Sequence, residues 1–263
     1  MTDTGLIRSH NEDSIGSDPS LNLAVLADGM GGHKGGEVAS ALAVNTILND
    51  LPAELERCKN LEIDEDVSGL SYQSIAIKNA IEKSNSVIFS AASKQIQYEG
   101  MGTTIVVTMF YDNRLTIAHV GDSRMYRLRD HEMDQITTDH TLLQELIDRG
   151  FYTKEEAAKS MNKNLVTRAM GIEEIVKIDI TEDIALPKDI YLLCSDGLTD
   201  MVDDSRINII LEENKSHLDI ACTELIQQAK DNGGHDNISA IIIQPIKQGL
   251  GLKLVSKFMD IFS

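Results

Sequence analysis

Seven short segments rich in β-branched and other apolar residues set the strongest limit on how this chain folds. Such segments are typical of β-strands, and here they cluster next to one another instead of alternating with helical segments. That order favours an α+β layered fold over a parallel sheet built from βαβ units. Asp112 and Asn113, between two of the segments, predict a hairpin turn. The predicted strands are Leu21–Ala27, Thr103–Phe110, Leu115–Val120, Met125–Leu128, Ile175–Ile180, Ile190–Cys194 and Ile238–Ile243.

Two longer segments carry apolar residues at three- and four-residue spacing, which is the period of a helix with one buried face. The sequence shows no internal repeat and no low-complexity run, so its 263 residues suit one large domain or two small ones. The two long helices are predicted at Glu37–Leu48 and Tyr72–Ile96, and shorter ones at Leu142–Arg149, Ser205–Leu211 and Leu218–Ala229.

The charge of the chain excludes one class of partner. The chain has 24 basic and 42 acidic side chains, a net charge of −18, whereas nucleic-acid binding needs concentrated Lys and Arg. The three cysteines are an odd number without CxxC spacing, which indicates a reducing compartment and no disulfide framework. The first residues lack the apolar core of a signal peptide, and no apolar stretch approaches the roughly 20 residues of a membrane helix. We therefore expect no nucleic-acid partner, no transmembrane segment and a cytoplasmic location.

Five short acidic motifs stand at the ends of predicted strands or close to them. Carboxylates at strand ends can converge on one edge of a sheet, where hard divalent cations take oxygen ligands. In an Asp-Gly pair the glycine has no Cβ, so its own carbonyl can turn toward the same cation. Each motif alone is more typical of a surface turn than of a metal ligand. The motifs are Asn11-Glu12-Asp13, Asp28-Gly29, Gly121-Asp122, Asp196-Gly197 and Asp236-Asn237.

Eight motifs in order give the chain a close resemblance to the PPM (type 2C) metal-dependent protein serine/threonine phosphatases in their bacterial form. The resemblance extends from Thr2 to about Ile243 and implies a four-layer αββα sandwich of two antiparallel sheets flanked by helix pairs. It implies a phosphatase domain over 1–245 and leaves 246–263 as a C-terminal tail. The motifs are TDTGLIRSHNED, LADGMGGHKGGEVAS, MGTT, HVGDSRMYRLR, TTDHTLLQELIDRG, NLVTRAMG, LLCSDGLTD and GGHDNISAI.

The resemblance also implies a set of metal ligands. Asp28 corresponds to the aspartate that bridges two Mn²⁺ or Mg²⁺ ions, and the carbonyl of Gly29 to a ligand of one of them. Asp196 and Asp236 correspond to ligands of the first ion. Glu12 corresponds to the residue of the second ion, which in the family often acts through water.

Three further features follow from the same resemblance. Asp122 matches the aspartate of a third, more weakly held ion in bacterial members. Arg8 matches the arginine that holds the substrate phosphate, a task that suits a bidentate guanidinium. The segment from Thr141 to about Leu165 matches the mobile flap beside the site, although Ser160–Asn164 lacks the His-Pro and Arg common there.

The implied reaction is hydrolysis of phosphoserine and phosphothreonine in proteins by direct attack of a hydroxide that bridges the two cations. The implied partners are phosphorylated proteins and a cognate bacterial Ser/Thr kinase, and we expect a monomer. A pseudophosphatase that only binds is the alternative, which the intact ligand set disfavours. A cysteine-dependent phosphatase is excluded, because none of the cysteines has an arginine six residues further on.

Several residues depart from the family pattern or have simple structural explanations. Met30 stands where eukaryotic relatives place a histidine, proposed there as the acid for the leaving group, and a methionine has no proton to give. Either water or His33 would then serve, and we favour water. His119 reads as a packing residue within its strand. The first strand of the family is expected to be short or missing here. In the tail, one helical face is apolar, formed by Val255, Phe258, Met259 and Phe262.

Overall fold

The computed structural model describes residues 1–32, 34–60, 69–153, 156, 165–248 and 251–254. These residues form two antiparallel sheets with helices on the outer faces, so the predicted α+β layered class is confirmed. The strands are β1 (Thr2–Asp3), β2 (Asp13–Asp18), β3 (Leu23–Met30), β4 (Gly102–Thr103), β5 (Ile105–Tyr111), β6 (Arg114–Val120), β7 (Arg124–Arg129), β8 (Glu132–Gln135), β9 (Asp179–Ile184), β10 (Ile190–Cys194), β11 (Ile238–Ile243), β12 (Pro245–Gln248) and β13 (Gly251–Leu254). The helices are α1 (Gly35–Asn60), α2 (Tyr72–Lys94), α3 (Leu142–Asp148), α4 (Asp196–Thr199), α5 (Asp204–Glu213) and α6 (Leu218–Asp231).

The strand order places β3 and β10 in the interior of the two sheets. The first sheet has the order β2-β3-β5-β6-β9, with the short β4 paired to β3, and the second has the order β1-β11-β10-β7-β8. Strands β12 and β13 form a separate hairpin. Because β3 and β10 are interior strands, the acidic residues at their carboxyl ends are held by neighbours on both sides.

Strand β3 shows why its sequence is apolar almost throughout. Leu23, Val25 and Ala27 pack in the cluster with α1 and α2, whereas Ala24 and Leu26 pack against the second sheet. A strand buried on both faces loses the alternation of polar and apolar residues that marks a half-buried strand.

Strand β10 repeats this division in the second sheet. Leu192 and Cys194 face the cluster with α5 and α6, and Tyr191 faces the first sheet. The rings of Phe110 and Tyr191 meet edge-on between the sheets, with centroids 5.2 Å apart. One core lies between the two sheets, and one lies between each sheet and its helices. The layers are therefore helices, sheet, sheet and helices.

Most apolar strands lie where the sequence predicts them. Strands β10 and β11 have the predicted bounds, and the β5–β6 hairpin turns at Asp112 and Asn113, with Tyr111 paired to Arg114. The prediction at Ile175–Ile180 is wrong for most of its length, because the strand is the polar β9, four residues further on, and Ile175 is 82% exposed.

The sequence also gives no sign of β2 or β8. Both strands are polar, and both lie at sheet edges, as does β9. Edge strands tolerate charge and need no apolar face toward a neighbour, so their pattern resembles that of a loop.

The predicted helices are confirmed, with α1 longer than expected. The prediction ends this helix at Leu48, yet the helix continues through Pro52 to Asn60, with Leu51 and Cys58 buried on the same face. Pro52 is exposed. The first strand is short, as expected, with two residues paired to β11.

The described part of the tail, 246–248 and 251–254, lies in the β12–β13 hairpin, and the apolar face predicted at 255–262 lies outside the described residues. The cysteines Cys58, Cys194 and Cys222 are buried free thiols. None of the described helices is both long and apolar enough to cross a membrane.

Candidate active site

Four aspartates from both sheets meet at one end of the sandwich, and we call them the carboxylate cluster. Asp28 lies near the end of β3, Asp122 between β6 and β7, Asp196 at the start of α4 directly after β10, and Asp236 just before β11. Burial raises the pKa of Asp28 well above its ordinary value, and the charges of Asp13 and the three other cluster members raise it further. The predicted carboxylates are therefore brought together.

The same forces act on other members of the carboxylate cluster. Burial raises the pKa of Asp196 well above its usual range, and the charges of Asp122, Asp200 and Asp236 add to the effect. Burial, followed by the charge of Asp139, raises the pKa of Asp122 to about 6. So much negative charge in a poorly hydrated place is costly unless cations offset it.

The donor set fits hard divalent cations such as Mn²⁺ or Mg²⁺, which prefer carboxylate and carbonyl oxygens. No three carboxylates of the cluster have ligand oxygens that all lie within 4.8 Å of one another. Within the described part of the chain, the one trio of His, Cys, Asp or Glu with ligand atoms all inside 4.8 Å lies elsewhere, at His119, His140 and Asp179. An arrangement wider than a single-ion cage is compatible with more than one ion sharing Asp28.

Asp13 belongs beside the cluster, although sequence reasoning assigned it no role. Its Oδ2 accepts hydrogen bonds from Ser195 Oγ at 2.8 Å and Ser239 Oγ at 2.6 Å, while its buried Oδ1 has no partner. It pairs in register with Asp28 across β2 and β3. An orphaned buried carboxylate oxygen at this point is a further sign of a place made for cations or their water.

Arg8 lies in the loop before β2 and reaches the edge of the carboxylate cluster. Its Nη2 donates to Asp236 Oδ2 at 2.7 Å, and its side chain remains 52% exposed. This hydrogen bond raises the pKa of Arg8, as do the charges of Asp236, Glu12 and Asp196. The guanidinium is thus a fixed positive charge, open to solvent, at the mouth of an anionic site.

Asn237 fixes the loop that carries Arg8 and Glu12, a role that its sequence position as a turn residue did not reveal. Its Oδ1 accepts from the Glu12 backbone N–H at 2.7 Å, and its Nδ2 donates to the carbonyls of Thr4 and His10 at 3.0 and 2.9 Å. Burial raises the pKa of Glu12, which the charge of Arg8 opposes. The side chain of Asn237 therefore joins the loop to β11.

Gly29 is required by close packing. A Cβ on Gly29 would lie 2.1 Å from the carbonyl oxygen of Gly36 and 2.6 Å from that of Glu12. Its N–H donates to the Glu12 carbonyl at 3.1 Å. The first turn of α1 thus packs directly on the strand end that carries Asp28.

The threonines of the MGTT motif hold the backbone of Asp28. Thr103 Oγ1 donates to the Asp28 carbonyl at 2.8 Å, and Thr104 Oγ1 accepts from the Asp28 N–H at 3.0 Å. Thr104 Oγ1 also lies 2.8 Å from Ser123 Oγ. Thr104 therefore links the backbone at Asp28 to the residue beside Asp122.

The loop after Asp28 is open. Met30 ends β3 and pairs with Gly102. Gly31 has a positive φ of 153° and lies against the backbone of Met101, whereas a Cβ at the exposed Gly32 would meet nothing within 4 Å. His33 lies outside the described residues.

Only the ends of the predicted flap are described. Thr141 caps α3 by accepting from Gln144 N–H at 3.2 Å, and Thr141 pairs with Val166 as an isolated bridge. The two ends of the flap are thus tied to each other. The departure at Ser160–Asn164 falls outside the described residues.

The family model described as Protein phosphatase 2C matches residues 8–239 of the chain. The serine/threonine phosphatase stp of Listeria monocytogenes is 37% identical over 246 residues, covering 92% of this chain and 93% of that protein. Among solved structures, the serine/threonine phosphatase Stp1 from Staphylococcus aureus is similar with a TM-score of 0.80 and 34% identity, over 94% of each chain. The catalytic domain of the serine/threonine protein phosphatase PstP in complex with 2 manganese ions is similar with a TM-score of 0.74 and 36% identity, over 97% of this chain and 96% of that one.

Proposed function

The chain belongs to the protein phosphatase 2C (PPM) family and is a protein phosphatase, and from this we propose that the carboxylate cluster is its cation-binding catalytic centre. The observation that carries the proposal is the meeting of Asp28, Asp122 and Asp196, which are buried or half-buried, with the partly exposed Asp236, beside an exposed Arg8. The similarity to a PstP structure with 2 manganese ions supports Mn²⁺ as one suitable cation, with Mg²⁺ as the other.

Each residue has a task in this proposal. Asp28 would contribute to both of two ions, Asp196 and Asp236 would hold the first, Glu12 would serve the second, and the Gly29 carbonyl would be a ligand of one of them. Asp122 serves a third, weaker ion. When bound, such cations would supply hydroxide from water at neutral pH for hydrolysis, and they would offset the charge of the phosphoryl oxygens.

Arg8 contributes to binding the substrate. Its guanidinium can donate to two phosphate oxygens at once and offset their charge. In the structure the same group pairs with Asp236. A phosphate at the site therefore competes with a carboxylate for Arg8, and occupation of Asp236 by a cation favours the phosphate.

Met30 does not protonate the leaving alcohol, because a thioether has no proton to give. Its place at the end of β3 is half-buried beside Gly102. In this proposal a water molecule at the open loop supplies the proton to the serine or threonine oxygen. A Met30→Ala substitution should then leave the pH dependence of turnover unchanged.

The substrates in this proposal are phosphoserine and phosphothreonine in proteins, placed there by a Ser/Thr kinase that the enzyme opposes. A monomeric enzyme in the cytoplasm suits that role. The test is phosphate release from a phosphothreonine peptide by the purified chain with Mn²⁺, with Mg²⁺ and with EDTA. We expect turnover with either cation and none with EDTA. A folded protein without turnover in Mn²⁺ or Mg²⁺ would support the alternative of a binding-only pseudophosphatase.

A further inference from the structure

A second cluster of titratable side chains lies behind the loop that carries Asp122. His119 and His140 are both buried, and their rings stack with centroids 4.6 Å apart and an interplanar angle of 16°. His140 Nε2 lies 3.2 Å from Asp179 Oδ2. Arg168 Nη1 lies 2.8 Å from both His140 Nε2 and Asp179 Oδ1.

This second cluster has the composition of a metal site but the wrong arrangement. A metal ion lies in the plane of each imidazole ligand, and two nearly parallel stacked rings do not direct their in-plane nitrogens to one point. His119 Nε2 is already 2.8 Å from the Thr138 carbonyl. Arg168 supplies the positive charge that Asp179 needs, so a second cation there would be repelled.

The contacts of His140 point instead to a mechanical role. Its backbone N–H donates to the Gly121 carbonyl at 3.0 Å, and its ring Nδ1 accepts from the Gly121 N–H at 3.0 Å. Its carbonyl accepts from the Thr167 N–H at 2.8 Å. His140 therefore joins the residue before Asp122 to the chain that leaves the flap, and it directly precedes Thr141, where the flap begins.

Gly121 needs such support. Its φ of +104° is a conformation that side chains rarely adopt, and a Cβ there would lie 2.6 Å from Thr104 Cγ2. Both of its backbone hydrogen-bonding groups are taken by His140, one by the main chain and one by the ring. The position of Asp122 is thus set through a glycine whose conformation is fixed from outside its own loop.

The ring can accept this hydrogen bond only when Nδ1 carries no proton. Burial, followed by the charges of His119 and Arg168, lowers the pKa of His140 to about 4. With Nδ1 accepting from Gly121, we assign the ring proton to Nε2, which faces Asp179. Asp179 in turn is held by Arg168, whose side chain lies in the segment that follows the flap.

We propose that His140 is a positioning residue that fixes the Gly121–Asp122 loop to the base of the flap, with Asp179 holding its ring and Arg168 holding Asp179. The proposal deepens the proposed function, because it makes binding of the third cation at Asp122 depend on the flap base. His140 itself touches neither cation nor substrate.

The experiment compares His140→Ala and His140→Asn with the wild-type full chain. Amide hydrogen exchange of Gly121 is measured by NMR in Mg²⁺, and Mn²⁺ binding by calorimetry. In His140→Ala we expect the Gly121 amide to exchange at least about ten-fold faster and the weakest Mn²⁺ site to lose about ten-fold in affinity. In His140→Asn the side-chain oxygen replaces Nδ1 as acceptor, so Gly121 exchange should stay within about three-fold of wild type.

His131→Ala is the matched control, because His131 is exposed and its ring pairs with Glu212, which makes none of these contacts. It should change neither measurement. Asp179→Ala is the second variant, since Asp179 is partly exposed and its loss is easier to tolerate than that of His140. It should speed Gly121 exchange by a smaller factor.

Unchanged Gly121 exchange in a folded His140→Ala protein would overturn the proposal. If that variant does not fold, unchanged exchange in Asp179→Ala overturns the part assigned to Asp179 and Arg168, and altered exchange supports it. Failure of the proposed function is recognised separately, as absence of phosphopeptide turnover in wild type, because the exchange measurement does not depend on turnover.

Discussion

At the scale of single residues, the carboxylate cluster opposes folding and favours cation binding. Each aspartate whose pKa is raised in the folded state lowers the free energy of unfolding at neutral pH, unless a cation is bound. Asp28 and Asp196 show this most strongly, and Asp122 shows it with a pKa of about 6 against an ordinary 3.8. The residues that make the site are therefore the ones that cost the cation-free protein stability.

Asp122→Asn should accordingly stabilise the cation-free protein. Below about pH 4 both folded and unfolded chains hold the proton, so the variant gains nothing. Between about pH 4 and 6 only the folded state keeps it, so the advantage of Asn grows and is constant above pH 6, on the order of 2–3 kcal/mol. Thermal unfolding in EDTA at several pH values should show a Tm higher by about 5 °C at pH 7.5. A lower Tm at pH 7.5 would contradict the argument.

Asn237 makes three hydrogen bonds to the loop that holds Arg8 and Glu12, so its loss should disturb the position of that loop. Asn237→Ala should lower kcat/KM for a phosphothreonine peptide by at least about ten-fold, since a misplaced loop loses orientation of the phosphate. Steady-state kinetics in saturating Mn²⁺ measures this. Asn113→Ala, in the exposed β5–β6 turn, is the control and should match wild type.

Sequence reasoning at this scale found the residues whose neighbours in the chain reveal them. Asp28 and Asp196 end apolar strands, so their motifs were visible, and their predicted roles as ligands stay predictions. Asp13, Thr104 and Asn237 could not be found in this way, because their partners are distant in sequence. Ser195 and Ser239, for example, are 182 and 226 residues from Asp13.

At the scale of elements, interior strands follow from the sequence and edge strands do not. β10 and β11 were predicted with their observed bounds, whereas the polar β9 was displaced. The polar residues of β9 have a reason that only the fold shows. Glu182 Oε1 accepts hydrogen bonds from Ser71 N–H at 2.8 Å, from Ser71 Oγ at 2.6 Å and from Ser74 Oγ, all at the start of α2.

Glu182→Ala should therefore weaken the attachment of α2 to the first sheet. Loss of a carboxylate that accepts three hydrogen bonds from the first residues of a helix costs about 2 kcal/mol. The expected result is a Tm lower by about 5 °C in thermal unfolding. Glu132→Ala, on the exposed edge strand β8, is the matched control, and an equal loss in both variants would refute a specific role for Glu182.

At the scale of the whole molecule, the sequence predicts layers but not which strands share a sheet. Continuous apolar runs such as β5 indicate burial on both faces, which two stacked sheets provide. The pairing of β3 with β5, and of β10 with both β7 and β11, joins segments far apart in the chain. This topology places the ends of β3 and β10 together, and with them the carboxylate cluster.

The whole molecule should respond to cations as one unit. A cation that binds only the folded chain stabilises it by about 2.7 kcal/mol at one hundred times its Kd. Adding Mn²⁺ to EDTA-treated protein should raise Tm by several degrees. A later excess of EDTA over Mn²⁺ should reverse the change. A Tm independent of Mn²⁺ would mean that the cluster does not hold cations in the folded state.

In the proposed function, the aspartates of the carboxylate cluster hold the catalytic cations. Calorimetric titration of Mn²⁺ into wild type and Asp196→Asn tests it most directly, with Asp231→Asn, an exposed carboxylate at the end of α6, as control. We expect at least two sites in wild type and in Asp231→Asn, and loss of one tight site in Asp196→Asn. An Asp196→Asn protein that binds Mn²⁺ with wild-type stoichiometry and affinity would contradict it.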